Sequence, residues 1–194
     1  MQDLTFRAAV GGDCADLALL ADSATRRLTS HLWSGAAQPG QSAFEVGRSL
    51  IRNETSHFMH HRNWRVAELD GATVGALNGL VLSPPAADAP PSPAVTQGLN
   101  ELKAVAAGTW YLVAAALHAE FQGRGLGGAL LAEAEAQARA AGRQRLTLMV
   151  GSFNARARRL YDRHGLTEWQ RRPFTAFPGS DTPGEWILMV KDLT

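Results

Sequence analysis

Four glycines fall within six residues in the run Phe121-Gln122-Gly123-Arg124-Gly125-Leu126-Gly127-Gly128. Residues of this type at this spacing suit one kind of chemistry, the binding of an anion through bare backbone. Glycine takes backbone conformations closed to other residues and lets a ligand approach the chain. An apolar run, Trp110 to Leu117, comes just before, and an alanine- and leucine-rich segment, Leu126 to Ala141, follows. The order reads as strand, turn, helix. A helix start offers unpaired N–H groups and a partial positive charge, which suit a pyrophosphate. Downstream, Asn154 and Tyr161 stand seven residues apart, about two helical turns, so one helix presents both on one face.

Those residues need a frame, and the rest of the chain supplies one. Leu4 to Ala9 reads as a short strand. Asp13 is placed to cap a helix in which Leu17, Leu20, Ala21, Ala24 and Leu28 recur at helical spacing, ending near Ser30. Ser42 with Glu45 three residues on is a capping-box pair opening a second helix. Trp64 to Leu69 and Thr73 to Leu82 are strand-like, and Asp70-Gly71 between them signals a hairpin. Ser83 to Pro93 holds five of the nine prolines and reads as a loop. A short amphipathic helix follows, with Val95, Leu99, Leu102 and Val105 on one side. This insertion, residues 83–108, is read as a solvated loop, a lid or a homodimer contact. After the central unit, Arg145 to Val150 is a strand, Asn154 to His164 a helix closed by Gly165, and Leu166 to Arg171 and Trp186 to Val190 two further strands. In the helix after the glycine turn, Leu126, Leu130, Ala134 and Ala141 are the expected buried stripe. Glu133, Glu135 and Arg139 are expected to face water, with Glu135 and Arg139 paired. Hairpin-linked strands first and crossover helices later predict one α/β domain over residues 1–194.

Two readings of the glycine turn compete. Gly123, Gly125 and Gly128 satisfy G-x-G-x-x-G, the fingerprint of an NAD- or FAD-binding oxidoreductase. That fold wants the fingerprint in its first strand–helix unit and an acidic residue roughly 20 positions on. Here about a third of the chain follows, and the next strand ends in Val150-Gly151-Ser152-Phe153-Asn154, without an acid. The second reading uses Gln122-x-x-Gly125-x-Gly127. This resembles the acyl-coenzyme A signature of the GNAT superfamily of N-acetyltransferases. Asn154, Ala157, Leu160, Tyr161, Gly165 and Leu166 resemble that family's next motif at its usual separation. The likeness covers about Trp110 to Leu166. Ala119 departs from it, since members often carry proline there.

The resemblance implies a mixed, splayed central sheet of about seven strands with helices on both faces. It also implies acetyl-CoA as the acyl donor, lying where one strand parts from its neighbour at a bulge. The backbone of Ala116 and Leu117 would pair with the pantetheine amides. Backbone N–H groups of Gly123, Arg124, Gly125, Leu126, Gly127 and Gly128, with Gln122, would hold the pyrophosphate. Asn154 would touch the pantetheine, and Tyr161 would act as general acid toward the coenzyme A sulfur. A non-catalytic acyl-CoA sensor on the same fold is the alternative within the family.

Moving an acetyl group from a thioester to a primary amine needs three things. The amine must shed a proton, the oxyanion needs a donor, and the leaving thiolate needs a proton. Tyr161 serves the third need, and a backbone N–H near Leu117 the second. The base is the least marked. No carboxylate lies in Trp110 to Leu117, and the candidates are Glu68 at a strand end, His118, Glu120 and Tyr111; Glu68 has the best position. Direct attack is expected, because the only cysteine, Cys14, is far along the chain from both motifs.

The bulk numbers narrow the partners. A net charge of +1 with 19% charged and 45% hydrophobic residues makes no case for nucleic acid or membrane. One cysteine permits no intrachain disulfide and no cysteine zinc cluster. His57 and His61 stand at i,i+4 with His60 and Glu54 nearby, yet a solvated helix end is the expected reading, and no metal is predicted. Arg156, Arg158 and Arg159 are read as a phosphate contact or a basic outer face. The first residues show no basic start with an apolar run, so a cytoplasmic protein is expected. The partner expected is a small-molecule or peptide amine.

Overall fold

The computed structural model describes residues 4–86, 88, 91–180 and 183–193. Seven strands form one mixed sheet in the order β1-β2-β3-β4-β5-β7-β6. They are β1 (Thr5–Ala8), β2 (Trp64–Leu69), β3 (Ala72–Val81), β4 (Trp110–Leu117), β5 (Arg145–Gly151), β6 (Thr167–Pro173) and β7 (Glu185–Asp192). The helices are α1 (Cys14–Ala24), α2 (Leu28–Gly35), α3 (Ala43–Asn53), α4 (Ala94–Val105), α5 (Gly127–Ala140) and α6 (Ala155–Arg163). Contacts group the chain into two compact units.

The first unit comprises Met1–Gly79, Ala114–Leu130 and Pro178–Ser180. Here β1 runs antiparallel to β2, Thr5 opposite Glu68, and β2 antiparallel to β3, Val66 opposite Ala76. The β2–β3 hairpin turns at Asp70 and Gly71, with φ of 51° and 79°. Positive φ at both central residues is what a tight hairpin with matched twist requires. Alternation along the strands sends Trp64, Val66 and Ala76 to one face. There they pack with Leu17, Ala21, Trp33 and Ile51. The capping box at α3 forms as the spacing predicts: Glu45 N donates to Ser42 Oγ at 3.2 Å, and Ser42 N donates to the Glu45 carboxylate at 2.7 Å.

The first predicted helix does not run on to Ser30. Arg26 and Arg27 take φ of 50° and 72°, which splits it into α1 and α2. Local side chains cause the break. Thr25 Oγ1 donates to Ala21 O at 3.0 Å, and Asp22 Oδ1 accepts from Ser30 N at 2.8 Å. Short polar side chains compete with the helical ladder in this way, and apolar periodicity does not register it.

The second unit comprises Leu80–Val113, Leu131–Phe177 and Asp181–Thr194. β4 pairs with β5 in parallel, Trp110 opposite Leu146 through Leu112 opposite Leu148. β7 pairs antiparallel with both β5 and β6. Beside the β4–β5 pair, the buried Thr109 and Thr147 hydroxyls lie 2.7 Å apart. α4 lies against the end of β6, where a Cβ at Gly98 would come within 2.8 Å of Pro173 O. Of the proline-rich segment, residues 87, 89 and 90 lie outside the described residues; its other residues form neither helix nor strand.

The face that α5 buries differs from the predicted stripe. Leu130, Leu131, Ala134 and Ala138 are buried, and Ala141 is exposed beyond the helix end. A stripe at 130, 134 and 138 with 131 beside it keeps the helical period, while 141 belongs to the turn closed by Gly142 at φ 67°. Glu135 pairs with Arg139 at 3.6 Å as expected, but it also accepts from Lys191 and is largely covered rather than facing water.

Candidate active site

Each unit carries part of the predicted set. In the first unit, β4 ends at Leu117 and a short turn, Ala119–Phe121, leads into the glycines. Gly123 and Gly125 take φ of 81° and 82°. Side chains other than glycine rarely adopt that conformation, so the run is needed for its backbone shape. A Cβ built on Gly125 would meet nothing within 4 Å. Gly125 is therefore not there for close packing, which would put atoms at that position. Residues Gln122 to Gly125 are exposed. The Gln122 side chain reaches back and donates to Leu117 O at 3.1 Å, which fastens the turn to the strand end. Arg124 lies over the Phe121 ring, 5.0 Å from its centroid. At the helix start, Ala129 N and Leu130 N both donate to Leu126 O. The amides of Gly127 and Gly128 precede these in the first turn, where no intrahelical carbonyl can serve them. Ala116 and Leu117 are half-buried.

In the second unit, Asn154 is the N-cap of α6. Its Oδ1 accepts from Ala157 N at 3.2 Å. The cap uses the oxygen and leaves the amide N–H₂ as donor groups. Gly165 closes the helix at φ 78°. The basic series on α6 is mixed in exposure, with Arg156 and Arg159 exposed and Arg158 half-buried. Tyr161 stands two turns beyond Asn154, and burial pushes its phenol up to about 12. Tyr111, on β4, is also raised, first by burial and then by the charge that Tyr161 would carry. The fold thus lets the charge of one phenol act on the other, although 50 residues separate them in sequence. A phenol held protonated through the neutral range is suited to giving a proton, not to taking one. Tyr111 is thereby poorly placed as a base.

This burial has a readable consequence for stability. The folded chain holds the Tyr161 proton up to about pH 12, whereas an unfolded tyrosine loses its proton near pH 10. Above pH ~10 the unfolded state binds fewer protons, so stability falls as pH rises toward 12. Thermal melts from pH 8 to 12 are expected to show the fall, and Tyr111→Phe/Tyr161→Phe is expected to flatten it.

The other candidates lie apart from these groups in chemistry. Glu68, at the end of β2, accepts from Arg7 Nε at 2.8 Å. Arg7 also holds Asp13 through two bonds of 2.8 and 2.9 Å, which keeps the Asp13 carboxyl below its usual range. The Glu68 carboxylate is thus engaged, a partnership that sequence position at a strand end does not show. His118 N donates to Val74 O at 2.9 Å, and Glu120 is exposed. His57 Nδ1 accepts from Met59 N and His60 Nδ1 from Arg62 N, at 3.1 and 3.3 Å. Burial holds both imidazoles below their usual range. Among the described residues, no group of three His, Cys, Asp or Glu side chains could hold a metal ion. Among the same residues, no helix is long and apolar enough to cross a membrane.

Comparison with known proteins bears directly on this arrangement. The acetyltransferase (GNAT) family pattern matches residues 28–166. No protein of curated function matches the chain. Among solved structures, one described as an acetyltransferase is 19% identical, with 98% of this chain and 100% of that chain covered and a TM-score of 0.63. The structure of yncA from Salmonella typhimurium with its cofactor acetyl-CoA is 18% identical, covering 99% and 95%, with a TM-score of 0.60. Ribosomal-protein-alanine N-acetyltransferase from Brucella melitensis is 19% identical, covering 97% and 99%, with a TM-score of 0.60. At these identities the structures speak for the fold, and the family match spans well over half of the sequence. The chain belongs to the GNAT family of acetyltransferases.

Proposed function

We propose that the chain is an acetyl-CoA-dependent N-acetyltransferase whose acceptor is a primary amine. The observation that carries this is Gly125, at φ 82° with open space where a side chain would stand, in an exposed turn that feeds α5. Such a turn suits a diphosphate, which needs several N–H donors and no side chain between. The structure of yncA with acetyl-CoA supports the same ligand for this chain.

The residues divide the work as follows. Backbone amides from Gly123 to Gly128 hold the pyrophosphate, with Gln122 keeping the turn on its strand. The backbone of Ala116 and Leu117 is proposed to pair with the pantetheine, and the Asn154 amide is proposed as a cofactor donor. The amine nitrogen attacks the thioester carbonyl carbon. The carbonyl oxygen gains charge, for which the Leu117 N–H is the proposed donor. As the carbon–sulfur bond breaks, Tyr161 gives its proton to the sulfur, and the proton shed by the amine restores the balance. Glu68, whose carboxylate accepts from Arg7 Nε, carries the base role in this proposal. An acceptor that binds uncharged needs no base. Glu68→Gln is accordingly expected to lower kcat/KM about 10²-fold for amines of high pKa and to leave amines of low pKa within a few-fold, in initial-rate assays.

The experiment that tests the function is an amine panel with acetyl-CoA, read by free-thiol release. Amine-dependent release supports the proposal. Tight acetyl-CoA binding with no release from any amine would instead favour a sensor on this fold. A bound nicotinamide or flavin spectrum in the purified protein would favour an oxidoreductase. The site proposed here lies within a cytoplasmic protein in our reading, acting on a small-molecule or peptide amine without nucleic acid or membrane as partner.

A further inference from the structure

The segment that joins α3 to β2 is a chain of three tight turns. His57 N donates to Glu54 O, His60 N to His57 O and Asn63 N to His60 O, each at 2.9 Å. A histidine stands at both internal joints, and each ring braces the turn that follows it. Nδ1 of His57 accepts from Met59 N at 3.1 Å, and Nδ1 of His60 from Arg62 N at 3.3 Å. An amide N–H can only donate, so both Nδ1 atoms must be without a proton while the segment is closed. Asparagine closes the same turn with an oxygen that does not titrate. Histidine closes it with a group whose charge changes between about pH 5 and 8.

The surroundings give a proton little welcome. His60 is 2% exposed. Its ring lies 4.2 Å from that of His61, the Arg62 charge bears on it, and its remaining bond is to the backbone of Arg52 in α3. His57 is half-buried and stacked on Phe58 at 4.4 Å, with the Glu54 carboxylate acting on it. Asp13 acts on His61 and is already held by Arg7. The carbonyls of the same segment serve the sheet. Met59 O accepts from Trp64 Nε1 at 2.9 Å, and Phe58 O from Asn78 Nδ2 at 3.0 Å. Met59, Trp64 and Ala114 share one buried cluster, and Ala116 packs against it. An open segment takes the acceptors from a buried indole and a buried amide, beside the strand that ends in Leu117.

We propose that His57 and His60 form an acid-released clasp: both rings must be uncharged for the segment from Glu54 to Asn63 to stay closed, and their joint protonation opens it away from Trp64 and Asn78. In the open segment each imidazole takes a proton near pH ~6.5. In the closed one burial holds both below that range. For His60 the charges of His61 and Arg62 add to burial and the Arg52 bond opposes it; for His57 Glu54 opposes it. The open form therefore binds more protons, and it gains as pH falls through ~6.5, by up to about tenfold per pH unit for each histidine.

The test is amide hydrogen exchange by NMR on the full chain without ligand, at pH 7.5 and 5.0, corrected for intrinsic rates. Leu188 in β7 is the reference. Opening at Met59 and Arg62 is expected to rise about tenfold or more relative to Leu188. His57→Asn/His60→Asn keeps both acceptors and is expected to hold the change within threefold. If that pair does not accumulate as folded protein, each single variant is expected to remove part of the rise. Imidazole ¹⁵N shifts of the unaltered protein report protonation directly. Opening at Met59 and Arg62 that stays within twofold between the two pH values overturns the proposal. So does an equal rise in the double variant, or rings protonated at pH 5.0 with both amides still protected. Acetyl-CoA takes no part in this test, so its outcome and that of the amine panel are independent.

Discussion

Gly125→Val is expected to weaken acetyl-CoA binding by at least ~100-fold in a calorimetric titration. Two costs add. The turn holds residue 125 at φ 82°, and a β-branched side chain in the left-handed region costs about 1–3 kcal/mol of strain. The new side chain also projects into the open space above the turn, where nothing now stands within 4 Å. It would lift the phosphates off the amides, and each hydrogen bond to a charged group contributes roughly 1.5–3 kcal/mol. Losing two such bonds already exceeds the ~2.7 kcal/mol that a hundredfold change requires. Gly142→Val pays a like backbone strain at the far end of α5, where φ is 67°. It is expected to lower Tm and leave affinity within twofold. Equal losses of affinity in the two variants would assign the effect to instability and not to the anion site.

Tyr161→Phe is expected to lower kcat by about 10²-fold or more while acetyl-CoA affinity stays within about threefold. General acids contribute ~10²–10⁴-fold when they reach the leaving group. The phenol is suited to the role because burial holds its proton to about pH 12. Its own titration therefore does not depress kcat between pH 6 and 10, and any limb in that range belongs to the amine or to the base. The deficit should shrink with an acyl donor whose thiol has a lower pKa, since a better leaving group needs less protonation. A Tyr161→Phe enzyme with unchanged kcat, or with a deficit indifferent to the leaving thiol, would move the general-acid role elsewhere.

The parts of this molecule that sequence makes legible are those in which one local signal fixes one local shape. Asp70-Gly71 prescribes a hairpin, Ser42 with Glu45 a helix start, and Gly165 a helix end, and each takes that form. The glycine turn is legible for the same reason, since its residues are needed for backbone conformation. The split between α1 and α2 was not legible, because it depends on Thr25 and Asp22 hydrogen-bonding in three dimensions while the apolar period runs through. Within the site, Asn154 and Tyr161 share a helix and could be paired by counting. Glu68 and Arg7 meet only through the fold, and the influence of Tyr161 on Tyr111 likewise depends on it.

The central claim is that backbone amides after β4 grip a diphosphate so that the strand can present a thioester. The most direct measurement compares acetyl-CoA with acetyl-pantetheine, which carries the same thioester and arm but no diphosphate, by titration into the unaltered protein. Acetyl-CoA is expected to bind at least ~100-fold more tightly, with that advantage lost in Gly125→Val, since two lost charge-assisted bonds correspond to at least that factor. Equal affinity for the two donors, or no binding of acetyl-CoA at millimolar concentration, would contradict the account.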